Sequence, residues 1–146
     1  MTAAPTHHRI NEQLRLYWEE LRNGRVMPME SEISIKDLAA IWDHCFLVSV
    51  HGDRFAYSYM GEQLIEAYGD DMTGKEIAIA LLEPHPQSLF ESFQKVAESG
   101  QPRIDDNAFT NSRGVEVKYR SCILPLGAKG HTGVAYLLGG MKWKAY

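Results

Sequence analysis

Cysteine is scarce here: Cys45 and Cys122 stand far apart, in no CxxC or metal-type spacing, and are expected to be small buried apolar residues instead of a bridge. Long apolar runs are missing too. None approaches the length that spans a bilayer, and no charged-then-apolar leader stands at the start, so the expected place is the cytoplasm, with no membrane insertion. Positive charge is neither in excess nor gathered. Fifteen basic residues lie scattered among nineteen acidic ones, for a net charge of −4, which argues against nucleic-acid and anionic-membrane surfaces, since both need a concentrated basic patch. There is no biased tract and no internal repeat, and only residues 1–5 read as loose.

What is present fits one domain of 146 residues, 45% hydrophobic and 23% charged, long enough to bury roughly two thirds of its unfolded surface. Thr6 can cap a helix whose apolar positions Ile10, Leu14, Tyr17 and Leu21 recur at alternating four- and three-residue steps until Gly24 stops the run. That seam is too short to hold a coiled coil alone, so its apolar face needs a partner, either its own sheet or a second copy. After "RVMPMESE", Ser34 and Asp37 have capping-box spacing for a short helix through Leu38 and Ile41.

The period then changes. "CFLVSV" and "RFAYSYM", joined by "HGD", read as a hairpin with Phe46, Val48 and Val50 on one face, and Phe55, Tyr57 and Tyr59 on one face of the second strand. Helical "GEQLIEAYG" follows, then "DDMTG" and "KEIAIALLEP", and then a longer helix from near Pro86. Its stripe is Leu89, Phe90, Phe93, Val96 and Ala97, and it ends at Gly100. Three strands complete the chain: Arg103–Thr110; "VEVKYRSCILPL", with Val115, Val117, Tyr119, Ser121 and Ile123 on one face; and "TGVAYLLGGMKW", apolar on both faces and hence central. The simplest sheet is five-stranded and antiparallel, with the inner helices on one face and the N-terminal helix available for the other.

Gly69, followed after four residues by Gly74-Lys75, has the spacing of a phosphate loop, but its context is wrong. A helix instead of a strand precedes it, Asp70 and Asp71 would repel the phosphate, and Glu76 takes the place of the magnesium-binding hydroxyl. Gly69 is expected to end one helix, and Thr73-Gly74 to turn the chain into the next.

In that setting "FAYSYMGEQLIEAYGDDMTGKEI" resembles the strand-to-helix passage and "G…(S/T)GK" turn of PAS domains. The likeness extends through "LRLYWEELRNGRVMP", "HCFLVSV", "LFESFQKVAESG", "YRSCILPL" and "GVAYLLGGMKW". The chain is most similar to short, single-domain bacterial PAS proteins with an N-terminal helix. The resemblance implies an α+β PAS-like sheet and a division into residues 1–33, for dimerisation or sheet-capping, and 34–146, a sensory domain. It also implies a homodimer through Ile10, Leu14, Tyr17 and Leu21, and a small ligand or a signalling protein as partner. It names no cofactor: the family binds haem, flavin, a chromophore, small acids or nothing, and the flavin-type "NCRFLQ" motif is absent here.

The residues themselves offer a ligand site. Tyr57, Tyr59, Tyr119 and Tyr136 can bring hydroxyls to a space lined by Phe55, Phe90 and Phe93, an apolar lining with a few polar tips, although packed core is the plainer reading of strand aromatics. Among the histidines, His7, His8, His51 and His131 read as end or turn residues, and only His85 is placed to reach a pocket as a haem ligand. No catalytic or metal residue is assigned. The alternatives are a small isomerase- or dehydratase-type enzyme, which needs Asp105 or Asp106 turned inward beside a tyrosine, and a ligand-free structural adaptor.

Overall fold

The computed structural model describes residues 9–77 and 85–146. The Thr6 cap, His7, His8, the loose residues 1–5 and most of "KEIAIALLEP" lie outside them. Helix α1 is Ile10–Arg22, closed by Asn23 in the left-handed region (φ 49°) one residue before Gly24. Strands β1 (Cys45–His51) and β2 (Arg54–Met60) form the hairpin. Next come α2 (Glu62–Tyr68), ended by Gly69 at φ 82°, then β3 (Glu76–Ile77) and α3 (Gln87–Ser99). Strands β4 (Arg103–Thr110), β5 (Glu116–Leu126) and β6 (Tyr136–Ala145) follow.

The sheet is antiparallel, in the order β3-β2-β1-β6-β5-β4, so it has six strands where five were expected. The extra strand is β3: Gly74 turns the chain not into a helix but alongside β2, pairing Ile77 with Phe55 and Glu76 with Ala56. Two residues carry no period to read. The expected centre does hold, with β6 between β1 and β5 and Leu137, Leu138, Gly139, Gly140 and Met141 all buried.

Each face of the sheet carries its own apolar cluster. The inner one joins α2 and α3 to Phe46, Phe55, Tyr57, Val117, Tyr119, Ile123 and Leu137. The outer one joins Leu14 and Trp18 of α1 to Leu38, Ile41, Cys45, Cys122, Leu124, Leu126 and Leu138. Thus α1 packs on its own sheet. It buries Asn11, Leu14 and Trp18, and is anchored by Trp18 Nε1 donating to the Pro125 carbonyl (2.8 Å) and Asn11 Nδ2 to that of Arg120 (2.9 Å). Of the seam residues only Leu14 is fully buried; Ile10, Tyr17 and Leu21 flank it half-buried.

The Ser34–Asp37 capping box does not form. Residues Ile35–Leu38 make a 3-10 turn without a side-chain cap, and the Ser34 N–H donates to the Tyr17 hydroxyl (2.9 Å), which ties this connection to α1. Both cysteines are free and buried. Each is registered with Gly140, one from either side, so two strand spacings of about 4.8 Å part them, beyond disulfide reach. Burial pushes both thiols up to about 12, which leaves them protonated and inert.

Candidate functional site

Alternation along β1, β2 and β5 aims one set of aromatic rings at α2 and α3. Phe55 meets Phe90 and Phe93 with ring centroids 5.7 and 5.6 Å apart; Phe93 meets Phe46 at 5.5 Å and Tyr57 at 6.1 Å. The network continues from Tyr57 to Tyr68 (6.3 Å), from Tyr68 to Phe109 (5.8 Å) and from Phe109 to Tyr119 (5.7 Å). Five of the seven residues picked from the sequence, Phe55, Tyr57, Phe90, Phe93 and Tyr119, therefore share one face.

Tyr59 and Tyr136 stand on the other face. In β2 the register slips: Val48 pairs with Tyr57 but Leu47 pairs with Tyr59, so Ser58 is an extra residue. This bulge reverses the alternation, giving the inner position to Met60 and sending Tyr59 outward. There Tyr59 stacks on Trp42 (4.5 Å, 8°) and donates to its carbonyl (2.9 Å). Tyr136 lies opposite Leu126 and Ser49 and packs on the outer cluster.

At the middle of the inner network is a chain of polar tips that the sequence reading did not assemble. The Tyr57 hydroxyl is 2.9 Å from that of Tyr68 and 2.8 Å from His85 Nε2, and all three side chains are buried. Tyr68 had a usable signal: Leu64, Ala67 and Tyr68 recur at three- and one-residue steps on the inner side of a short helix that Gly69 ends. His85 held a place only as a haem ligand; here its Nε2 is committed to Tyr57.

Burial sets the protonation states. Desolvation lowers His85 to about 3, outweighing a smaller opposing pull from the Pro86 backbone, so the ring is neutral at ordinary pH. It raises Tyr57 well above 10, with the neighbouring Tyr68 adding to the effect, and raises Tyr68 and Tyr119 as well. A neutral imidazole has one donor and one acceptor. Nε2 uses one of them, and Nδ1 is buried with no hydrogen-bond partner among the described residues. A second polar contact joins Tyr119 to Ser88 Oγ (2.7 Å).

The carboxylates weighed for catalysis are engaged. Asp105 is on the inner row as required of one of the pair, but it accepts from Ser92 Oγ (2.7 Å) and Arg103 Nε (2.9 Å); Asp106 faces out and holds Arg120 bidentately (2.7 and 3.0 Å). In the Gly69–Lys75 loop, Asp71 accepts from the Thr73 N–H (2.9 Å) and Asp70 pairs with Lys75 (3.4 Å), so the loop's own acids take the donors a phosphate would need. Among the described residues no cluster of metal-ligating side chains occurs, and no helix is long and apolar enough to cross a membrane.

In fold the chain is similar to a light-oxygen-voltage domain studied with a flavin analogue, with a TM-score of 0.56 and 15% identity over 75% of this chain and 83% of that one. It is also similar to a fungal LOV domain photoreceptor linked to a pathway integrating blue light and oxidative stress, with a TM-score of 0.50 and 15% identity over 67% and 70%. No curated protein matches it in sequence. The family model described as PAS domain matches residues 6–142, nearly the whole chain, and the protein belongs to the PAS domain family of sensory signalling domains.

Proposed function

We propose that this protein is a receiver without covalent chemistry of its own, and that its sensing point is the inner aromatic box around Tyr57, Tyr68 and His85. The carrying observation is the buried hydrogen-bonded chain from Tyr68 through Tyr57 to His85, a row of polar tips set among apolar rings. An uncharged, largely apolar small molecule with one hydrogen-bonding group supplies the match. Among the described residues the rings stand in mutual contact and both cysteines belong to the outer layer, so the ligand expected is smaller than a flavin.

The route outward runs through adjacent glycines at the middle of β6. Gly139 lies under the Phe46 ring, and Gly140 admits α1 from the other side, where a Cβ would stand 3.0 Å from Asn11 Oδ1 and 3.1 Å from Leu14 Cδ2. The sheet is thinnest at that point. A ligand that binds better to one placement of Phe46 shifts the population of α1 positions, and with them the geometry of a homodimer formed along the edge of α1 at Ile10, Tyr17, Leu21 and exposed Leu16 (45%).

Native mass spectrometry of the full chain purified from its own cells tests the sensing point. The expected result is a small molecule held non-covalently in the wild type and lost in Tyr57→Phe and His85→Phe. A chain that carries none, or keeps it in both variants, makes the protein the adaptor. The dimer edge has its own test: Leu16→Glu with Leu21→Glu is expected to halve the mass seen by light scattering, and an unchanged mass removes α1 as the lever.

A further inference from the structure

The basic residues that look scattered in the sequence are gathered by the sheet. Beyond the first turn of α1 no described element covers the outer face, and there β4, β5 and β6 line a concavity of about 660 Å³ with Asp106, Lys118, Arg120, Lys142 and Lys144, joined by Arg9 and Asn11 of the helix start. The register sets Arg120 directly opposite Lys142, and Lys118 directly opposite Lys144. Like charges directly across strands are destabilising, yet here two such pairs sit side by side. The ion pairs elsewhere are matched: Glu19 with Arg22, Glu32 with Arg25, Glu76 with Arg54, Asp70 with Lys75. In this patch Asp106 holds Arg120, while among the described residues Lys118, Lys142 and Lys144 have no carboxylate in ion-pair range. The Tyr146 ring receives two of them, Lys118 at 4.7 Å and Lys144 at 5.9 Å.

We propose that this basic part of the outer face is a docking surface for an extended acidic segment of a partner protein. The spacing is what selects that occupant. Opposed residues lie about 5 Å apart across the strands, and the two rows, two residues apart, lie about 7 Å apart along them. That second distance is the repeat of alternate side chains in an extended peptide, so a segment lying along β5 and β6 with an acid at every second residue sets one carboxylate on each row. Complementary charge at a patch of this kind raises the encounter rate and fixes the register of the partner. The surface lies on the opposite face from the Tyr57–His85 box, and it stands whether or not that box holds a ligand.

The test is fluorescence anisotropy of the full chain at low salt with two labelled peptides of one composition, the first alternating glutamate and serine, the second with its glutamates in one block. The alternating peptide is expected to bind saturably and the blocked one several-fold more weakly. Lys118→Gln with Lys144→Gln is expected to weaken the alternating peptide about tenfold, as loss of two exposed ion pairs does, with circular dichroism and melting unchanged. Lys142→Gln, alone on the other row, is expected to weaken it by a smaller factor. Equal binding of the two peptides, or no saturable binding, overturns the proposal. So does displacement of the peptide by inorganic triphosphate or a single-stranded oligonucleotide at lower concentration than by unlabelled peptide, and so does a fall in solution mass on Lys118→Gln with Lys144→Gln, which would make a second copy the occupant.

Discussion

Gly139→Ala is expected to destabilise the domain by about 3 kcal/mol or more, the upper end for overpacking, because the added methyl would overlap the Phe46 ring. Phe46 cannot retreat: it is fully buried, with Tyr57 at 5.8 Å and Phe93 at 5.5 Å behind it. Urea unfolding checks the loss, and a double-mutant cycle assigns its cause. Phe46→Leu alone costs stability by leaving a void, but combined with Gly139→Ala it should recover part of the loss, since the shortened side chain vacates the space the methyl needs. Gly140→Ala is the contrast. Its methyl meets the ends of Asn11 and Leu14 on a helix that can give, so the cost should be near 1 kcal/mol and appear as faster amide exchange along α1. If Gly139→Ala were as stable as the wild type, the thin point of the sheet would lose its physical basis.

Those glycines also mark what the sequence made legible and what it hid. Strands with one polar face announced themselves: the first half of β5 alternates exposed Glu116, Lys118 and Arg120 with buried Val117, Tyr119 and Ser121, so Tyr119 could be placed inward from pattern alone. The α3 stripe was as plain, and Leu89, Phe90, Phe93 and Val96 are buried as read. By contrast the first half of β6, buried from Leu137 to Met141, is apolar on both faces, and a run without contrast carries no parity; hence the inward placement of Tyr136 had no pattern behind it and proved wrong. Tyr59 failed differently. Its local alternation was regular, and the bulge at Ser58 that reverses it exists only in the pairing with β1.

On α1 the seam was read through Ile10, Tyr17 and Leu21, whereas the buried row is Asn11, Leu14 and Trp18, which has the same three- and four-residue steps turned to the other side of Leu14 and was hidden by the polar Asn11. The basic grid and the Tyr68–Tyr57–His85 chain were hidden for one reason. Their members come from different elements, and only tertiary pairing brings them together.

Acid is expected to weaken this fold well above the pH at which carboxylates titrate, and His85 is the cause. Its folded value of about 3 lies below the ordinary 6.5, so between those limits the unfolded chain binds a proton that the folded chain refuses. The stabilisation is therefore fully present above pH 6.5 and drains away as pH falls, at up to about 1.4 kcal/mol per pH unit and roughly 4 to 5 kcal/mol by the time the folded ring itself titrates. Among the described residues the groups facing the ring are Tyr57 from β2, Tyr68 from α2 and Phe93 from α3, and none is charged in that range, since both tyrosines are held above their usual value. Protonation would place a cation among aromatic edges with no carboxylate among the described residues to meet it. Urea unfolding at pH 6.5 and pH 5 should then show the wild type losing about 2 kcal/mol that His85→Phe keeps, because phenylalanine preserves the ring without the titration. Equal losses in both proteins would mean that solvent reaches His85 in the folded state, and the box would be open to water before any ligand arrives.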